Sequence, residues 1–157
     1  MAQWALAQKV AELSVTTGAI SEPFILTNGC IFQPSQTAST NGGKAVFRFT
    51  VPASGQYALS AAVKAPGTNA NALFIDIDSD PAETAMKWEI PMRPDFCTNW
   101  VLANSAGLPK WFDLTAGAHE IIVRGCDANV QLSNLSVWSR PTTKPAAPTG
   151  LRVVTGQ

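Results

Sequence analysis

Apolar and polar residues alternate with a period of two through two segments of this chain, Val46–Val63 (VFRFTVPASGQYALSAAV) and Trp111–Val123 (WFDLTAGAHEIIV). Side chains two apart share one face of a strand, so each segment predicts strands with one buried face. A Gly-bearing turn interrupts each, with Pro52 and Gly55 in the first and Gly117 in the second; each is therefore expected to be a β-hairpin. In the first, Ala45, Phe47, Phe49 and Val51 share a face, and Tyr57, Leu59, Ala61 and Val63 answer from the next strand. The run Leu73-Phe74-Ile75-Asp76-Ile77-Asp78 alternates again. It predicts Leu73, Ile75 and Ile77 toward the core and Asp76 and Asp78 toward solvent.

The remaining segments are shorter and less regular. Gln3–Val15 is ambiguous, because Leu6, Val10 and Leu13 have near-helical spacing while Glu12–Thr17 has β-branched content; the strand is weighted slightly. Pro23, Gly29 and Pro34 forbid long elements in Gly18–Ser39, leaving Cys30-Ile31-Phe32 as an apolar island. Asp80–Asn99 carries Pro81, Pro91 and Pro94 and reads as more loop than sheet, with a short strand at Lys87–Ile90. Trp100–Ala103, Trp111–Leu114, Glu120–Arg124 and Leu132–Trp138 complete a count of about eight or nine strands. Short strands at turn-length intervals with no long helix predict an all-β chain: an antiparallel two-sheet β-sandwich, with the jelly roll as the best single architecture. The sandwich is expected over residues 1–139. From Arg140 the chain becomes Pro- and Thr-rich (RPTTKPAAPTGLRVV), and Pro148-Thr149-Gly150-Leu151 resembles the opening of fibronectin type III repeats. Residues 140–157 therefore read as a linker and the start of a following module in a longer, modular parent.

Composition narrows the function classes. The 157 residues carry eleven Lys+Arg against eleven Asp+Glu, with 14% charged. No basic patch is available to track a phosphate backbone, which argues against nucleic acid as a partner. The longest apolar stretches fall short of a membrane span, and Met1–Ser14 lacks the order of a signal peptide, so the chain reads as a mature or excised piece. Low charge, five Trp and many Thr, Ser, Asn, Gly and Pro fit a secreted or cell-surface β domain. Cys30, Cys97 and Cys126 are odd in number and lack CxxC spacing, against zinc and thioredoxin-like readings. Two readings stay open for them. Cys97 pairs with Cys126, since the fold reading places their loops close together, or all three are reduced and buried.

Catalytic constellations are missing. His119 is the sole histidine, so a cupin-like metal site cannot be built, and a packing or hydrogen-bonding role at the second hairpin is expected. No GxSxG elbow or phosphate-cradling Gly-rich loop is present. Asp76, Asp78, Asp80 and Glu83 are carboxylates, and a pair could in principle cut a glycosidic bond. Their strand alternation instead reads as a solvated face.

The ordered series VPASGQY, AAVKAPGTNANALFIDID, a tryptophan, a second tryptophan, FDLTAGAHEIIVRG and LSNLSVW resembles the carbohydrate-binding β-sandwich modules of bacterial polysaccharide-degrading enzymes. The nearest are the galactose-binding-like jelly rolls of carbohydrate-binding families 6 and 35, over roughly Val10 to Trp138. The resemblance implies a non-catalytic module that binds a polysaccharide or oligosaccharide and tethers a larger secreted polysaccharide-active protein to it. A monomer with covalently linked neighbour modules, and neither nucleic acid nor membrane as a partner, is expected. The alternative is a structural or protein-interaction spacer that has lost its sugar.

In the resembling modules, loops at one edge of the sandwich bring together an early aromatic, a tryptophan and a late Asn. On this chain these fall at Phe32, Trp100 and Asn129, with Asn99 and Asp127 as neighbouring hydroxyl contacts. A platform on a sheet face is a second possibility, raised by Trp88 and Trp111, although Trp111 reads more readily as half-buried edge packing. Trp4 and Trp138 are expected to close the sandwich. The families also hold a structural calcium through an N-terminal Glu-Ala-Glu and a late Leu-Asp. Here Val10-Ala11-Glu12 keeps one Glu and Leu132-Ser133 loses the Asp. Glu12 is thus the one candidate ligand, and no cofactor is expected to be required.

Overall fold

The computed structural model describes residues 7–81, 86–103 and 107–141. Expectations for Trp4, Leu6, Glu83 and the segment 142–157, including the linker and the start of a further module, lie outside the described residues. The first strands along the chain are β1 (Gln8–Ser14), β2 (Ala19–Ser21), β3 (Ile25–Thr27), β4 (Cys30–Phe32), β5 (Lys44–Val51), β6 (Gly55–Ala65) and β7 (Ala72–Ile77). They are followed by β8 (Lys87–Glu89), β9 (Arg93–Trp100), β10 (Leu102–Ala103), β11 (Leu108–Pro109), β12 (Phe112–Leu114), β13 (Gly117–Gly125) and β14 (Gln131–Ser139).

These strands build an antiparallel two-sheet β-sandwich. A seven-stranded sheet runs β12-β6-β14-β4-β3, with β1 also on β14 and β9 also on β6. A five-stranded sheet runs β2-β5-β13-β7-β8, and β10 pairs with β11. The ambiguous N-terminal segment is strand at Gln8–Ser14, closed by one 3-10 turn at Val15–Thr17.

Neither expected hairpin forms. β5 and β6 lie in different sheets, and so do β12 and β13, so each phrase is an arch across the core. The arches pair with each other instead. β5 runs along β13 from Val51 opposite Gly117 to Lys44 opposite Arg124, and β6 meets β12 at Tyr57–Phe112 and Gly55–Leu114. Between the turns, the Ala116 N–H donates to Ser54 Oγ at 3.0 Å. Alternation reports one buried face per strand, and an arch meets that demand as well as a hairpin does. Phe47, Phe49 and Val51 of one sheet and Tyr57, Leu59 and Val63 of the other accordingly belong to one core cluster.

Three further expectations are corrected. Asp80–Asn99 holds all but the last residue of the eight-residue β9, which tolerates Pro94 because it is an edge strand paired only with β6. Trp100 ends that strand and does not begin another. Asp76 is buried rather than solvated, accepting from Ser79 Oγ and lying 3.7 Å from Lys110 Nζ. Asp78, beyond the strand end with φ +61°, is exposed.

Cys30, Cys97 and Cys126 are all free, so the Cys97–Cys126 bond is absent. The partners named for it sit in different sheets, Cys97 on β9 and Cys126 just past β13. Burial pushes the Cys30 thiol up, and it pushes that of Cys126 to about 11. Both therefore behave as small apolar side chains.

Candidate functional site

The two outer faces of the sandwich differ in chemistry. The five-stranded sheet is laced with ion pairs: Arg48–Glu120 at 2.9 Å, Lys44–Asp80 at 2.9 Å and Arg124–Asp80 at 2.8 Å. Hydrogen bonding from Arg124, joined by Lys44, holds the Asp80 carboxyl well below the usual carboxylate range. Its charges are engaged with one another.

The seven-stranded sheet carries aromatic rings over a row of small, largely buried residues. Along β6, Leu59, Ala61 and Val63 point into the core, so alternation turns Ala58, Ser60, Ala62 and Lys64 outward. The register sets Trp138 beside Ala58, Ser136 and Trp100 on either side of Ser60, Asn134 and Thr98 on either side of Ala62, and Gln131 beside Lys64. Trp100 and Trp138 meet over this floor with ring centroids 5.4 Å apart, tilted by 51°. The Trp138 indole N–H donates to Ser60 Oγ at 2.8 Å, and Lys9 Nζ stands 5.3 Å from the Trp138 ring. Trp138 therefore decorates the outer face and does not close the sandwich. Trp111, half-buried on the edge strand side as expected, precedes the buried Phe112 and carries the Arg140 guanidinium 5.3 Å over its ring. Trp88 is core, 1% exposed, its indole N–H donating to the Trp100 carbonyl at 3.0 Å.

Phe32 lies at the far end of the same face. It ends β4 one residue after Ile31, the partner of Leu132, which places it next to Gln131. Its neighbour Gln33 accepts the Asn129 N–H through its carbonyl at 2.8 Å. Asn129 is exposed with φ +63°, a left-handed conformation that Asn tolerates, and its carboxamide makes no hydrogen bond among the described residues.

The five proposed contacts thus divide. Phe32 and Asn129 come together. Trp100 shares their face at the opposite end, on the order of 20 Å away by strand spacing and residue rise. Asn99 lies on the other side of its strand from Trp100, its amide donating to Cys97 O at 3.3 Å and Sγ at 3.0 Å. Asp127 is buried and accepts the Asn71 N–H at 3.0 Å, a loop-holding role.

Sequence reasoning did not place two aromatics on this face: Trp138, assigned to closing the sandwich, and Phe96, not singled out. Trp138 follows the core residues Leu135 and Val137 in alternation, a signal available in the sequence. Phe96, 44% exposed on β9, alternates with Thr98 and Trp100 and borders a groove of about 450 Å³ along Pro91–Asn99. The prolines of that segment masked its period.

Glu12 lies on exposed β1, 3.0 Å from Lys9 Nζ, and accepts from Asn134 Nδ2 at 3.4 Å. Among the described residues no group of three His, Cys, Asp or Glu side chains converges. A calcium ion takes six to eight hard oxygen ligands, and a lone carboxylate already neutralised by lysine does not fit one. His119 is buried with both ring nitrogens bonded, to Asp78 and to the Thr115 carbonyl, as its structural reading requires. Among the described residues, no helix is long and apolar enough to cross a membrane.

No family model matches the sequence, and no curated protein matches it. Solved structures do match. A carbohydrate-binding module of family 6 from Cellvibrio mixtus lichenase 5A, in complex with cellotriose, superposes with a TM-score of 0.56 at 13% identity, covering 86% of this chain and 99% of the module. A family 35 carbohydrate-binding module from Clostridium thermocellum gives 0.53 at 16% identity, covering 82% and 97%. An exo-β-1,3-galactanase from Phanerochaete chrysosporium, in complex with β-1,3-galactotriose, gives 0.55 at 11% identity over 81% of this chain, which spans only 29% of that enzyme. The structural neighbours thus include carbohydrate-binding modules of families 6 and 35, whose β-sandwich fold this chain shares.

Proposed function

We propose that this chain is a non-catalytic carbohydrate-binding module that lays a polysaccharide or oligosaccharide along the outer face of its seven-stranded sheet. The observation that carries the reading is the pair of half-buried rings of Trp100 and Trp138, set on the outer face over the buried Ala58, Ser60 and Ser136. A flat aromatic face matches the C–H surface of a sugar ring, and hydroxyl and carboxamide groups nearby fix its hydroxyls. Asn134, Gln131 and Asn129 supply such groups along the face. The shared fold of the family 6 and 35 modules supports the reading.

Such a module tethers a larger secreted protein, a glycoside hydrolase or polysaccharide lyase, to its substrate. Tethering raises local concentration, so a weak site suffices. Affinity electrophoresis through gels containing soluble β-glucan, xylan, galactan, mannan or pectin tests it. Retardation by at least one polysaccharide, abolished in the Trp100→Ala/Trp138→Ala double variant, is expected, with no reducing ends released. Unretarded migration in every gel would leave a structural or protein-interaction spacer.

A further inference from the structure

Gln33 follows Phe32 and is only 1% exposed. Both polar atoms of its side chain are engaged. The two N–H groups of its Nε2 are shared among the Ser35 carbonyl at 2.8 Å, Thr37 Oγ1 at 3.0 Å and the Cys126 carbonyl at 3.2 Å, while Oε1 accepts the Gly43 N–H at 3.1 Å. Its main-chain carbonyl holds the Asn129 N–H. One carboxamide therefore ties the end of β4, in the seven-stranded sheet, to residues flanking β5 and β13 in the five-stranded sheet. Gly125 makes room for it, since a Cβ there would stand 1.6 Å from Gln33 Oε1.

We propose that Gln33 is the positioning residue of the glycan site, holding the Phe32 ring and the Asn129 carboxamide in fixed relation before ligand arrives. The proposal rests on the carbohydrate-binding reading. A buried carboxamide is costly unless fully bonded, and the segments this one bonds carry the two contacts that the fold brings together at this end of the face. Preorganisation of that kind raises affinity by removing the ordering cost of binding. Gln33 itself touches no sugar and acts through its neighbours.

The test uses the whole chain with Gln33→Ala and Gln33→Glu, and as probe whichever of the five gel polysaccharides retards the wild type. In Gln33→Ala, hydrogen exchange of the Asn129 amide should accelerate at least tenfold without ligand, and retardation should weaken by a similar factor. Gln33→Glu keeps an acceptor for Gly43 but at neutral pH sets a carboxylate against the Ser35 and Cys126 carbonyls, and should bind as weakly. On acidification that carboxyl gains an O–H that replaces one amide donor. Its affinity should then recover relative to wild type measured at each pH, with circular dichroism showing the variant equally folded at both, a combination that a framework role would not produce and one that stays readable if Gln33→Ala fails to fold. Wild-type retardation in Gln33→Ala, or a Gln33→Glu deficit independent of pH, would overturn the positioning role alone. No retardation of the wild type by any polysaccharide would overturn it together with the carbohydrate reading.

Discussion

Tyr57 stands directly opposite Phe112 across β6 and β12, although each belongs to a different strand–turn–strand phrase. Both rings are buried, and the Tyr57 hydroxyl donates to the Ala53 carbonyl at 2.6 Å, so the side chain that packs on the second arch also pins the turn of the first. Phe112→Ala should cost about 3–5 kcal/mol, and Tyr57→Phe, which removes only the hydroxyl, about 0.5–1.5 kcal/mol. Urea denaturation reads both. A double-mutant cycle of Tyr57→Ala with Phe112→Ala should show a coupling of about 0.5–3 kcal/mol; strict additivity would mean that the arches do not act as a unit.

His119 gives stability a defined pH dependence. Nδ1 lies 2.6 Å from Asp78 Oδ2 and Nε2 2.7 Å from the Thr115 carbonyl, both acceptors, so the ring is held as the imidazolium. The Thr115 carbonyl and the Asp78 carboxylate raise its pKa above the ordinary 6.5, against the opposing effect of burial. The folded state binds this proton more tightly than the unfolded chain. Its contribution is fully present below pH 6.5 and is lost as pH rises through the folded value. The melting temperature of wild type minus that of His119→Gln should be largest in mild acid and shrink toward alkaline pH. A difference constant from acid to alkali would show a neutral ring.

Trp100 and Trp138 should contribute unequally to fold and to binding. Trp100 lies on an edge strand, so Trp100→Ala should weaken glycan binding by about tenfold, the equivalent of about 1.4 kcal/mol, with a small shift in melting temperature. Trp138 sits on β14, within the sheet, and hydrogen-bonds Ser60, so Trp138→Ala should lower both. Quenching of tryptophan emission by added polysaccharide should diminish in each variant. Unchanged quenching in both would remove these rings from the site.

The cysteines should separate on thiol labelling of the native protein. Cys97 is half-exposed, while Cys30 and Cys126 are buried with raised pKa values. Mass spectrometry after brief exposure to iodoacetamide should find the label on Cys97 first, and on all three after denaturation without reductant. A pair that stays unlabelled in denaturant would reveal a disulfide.

Period-two alternation made the sandwich legible, because burial of one strand face is a local signal. It could not say which strand lies beside which. The same apolar residues, Phe49 and Tyr57 among them, satisfy a hairpin or an arch, and the choice depends on partners such as β13 and β14 that arrive far along the chain. The site was partly legible for the same reason. Phe32 and Asn129 flank short irregular segments whose closeness follows from one bond to Gln33, whereas Asp127 carries a polar side chain that the loop turns inward to hold Asn71. A polar residue type in a loop does not by itself reveal whether its hydrogen bonds go to the chain or to solvent.

The crossed arches also govern how the chain can fold as it is made. Val46 of β5 finds its partner in Ile122, and Ala61 of β6 in Leu135, each more than seventy residues later. During synthesis the first half of the molecule therefore emerges with two long, apolar-faced strands and only the three-residue β2 to set beside one of them, β5. Loop closure of that length precedes any reward from pairing, so completion of both sheets waits for the last strand. Nascent chains halted before β13 should remain sensitive to protease and prone to capture by chaperones, and protection should appear in a single late step.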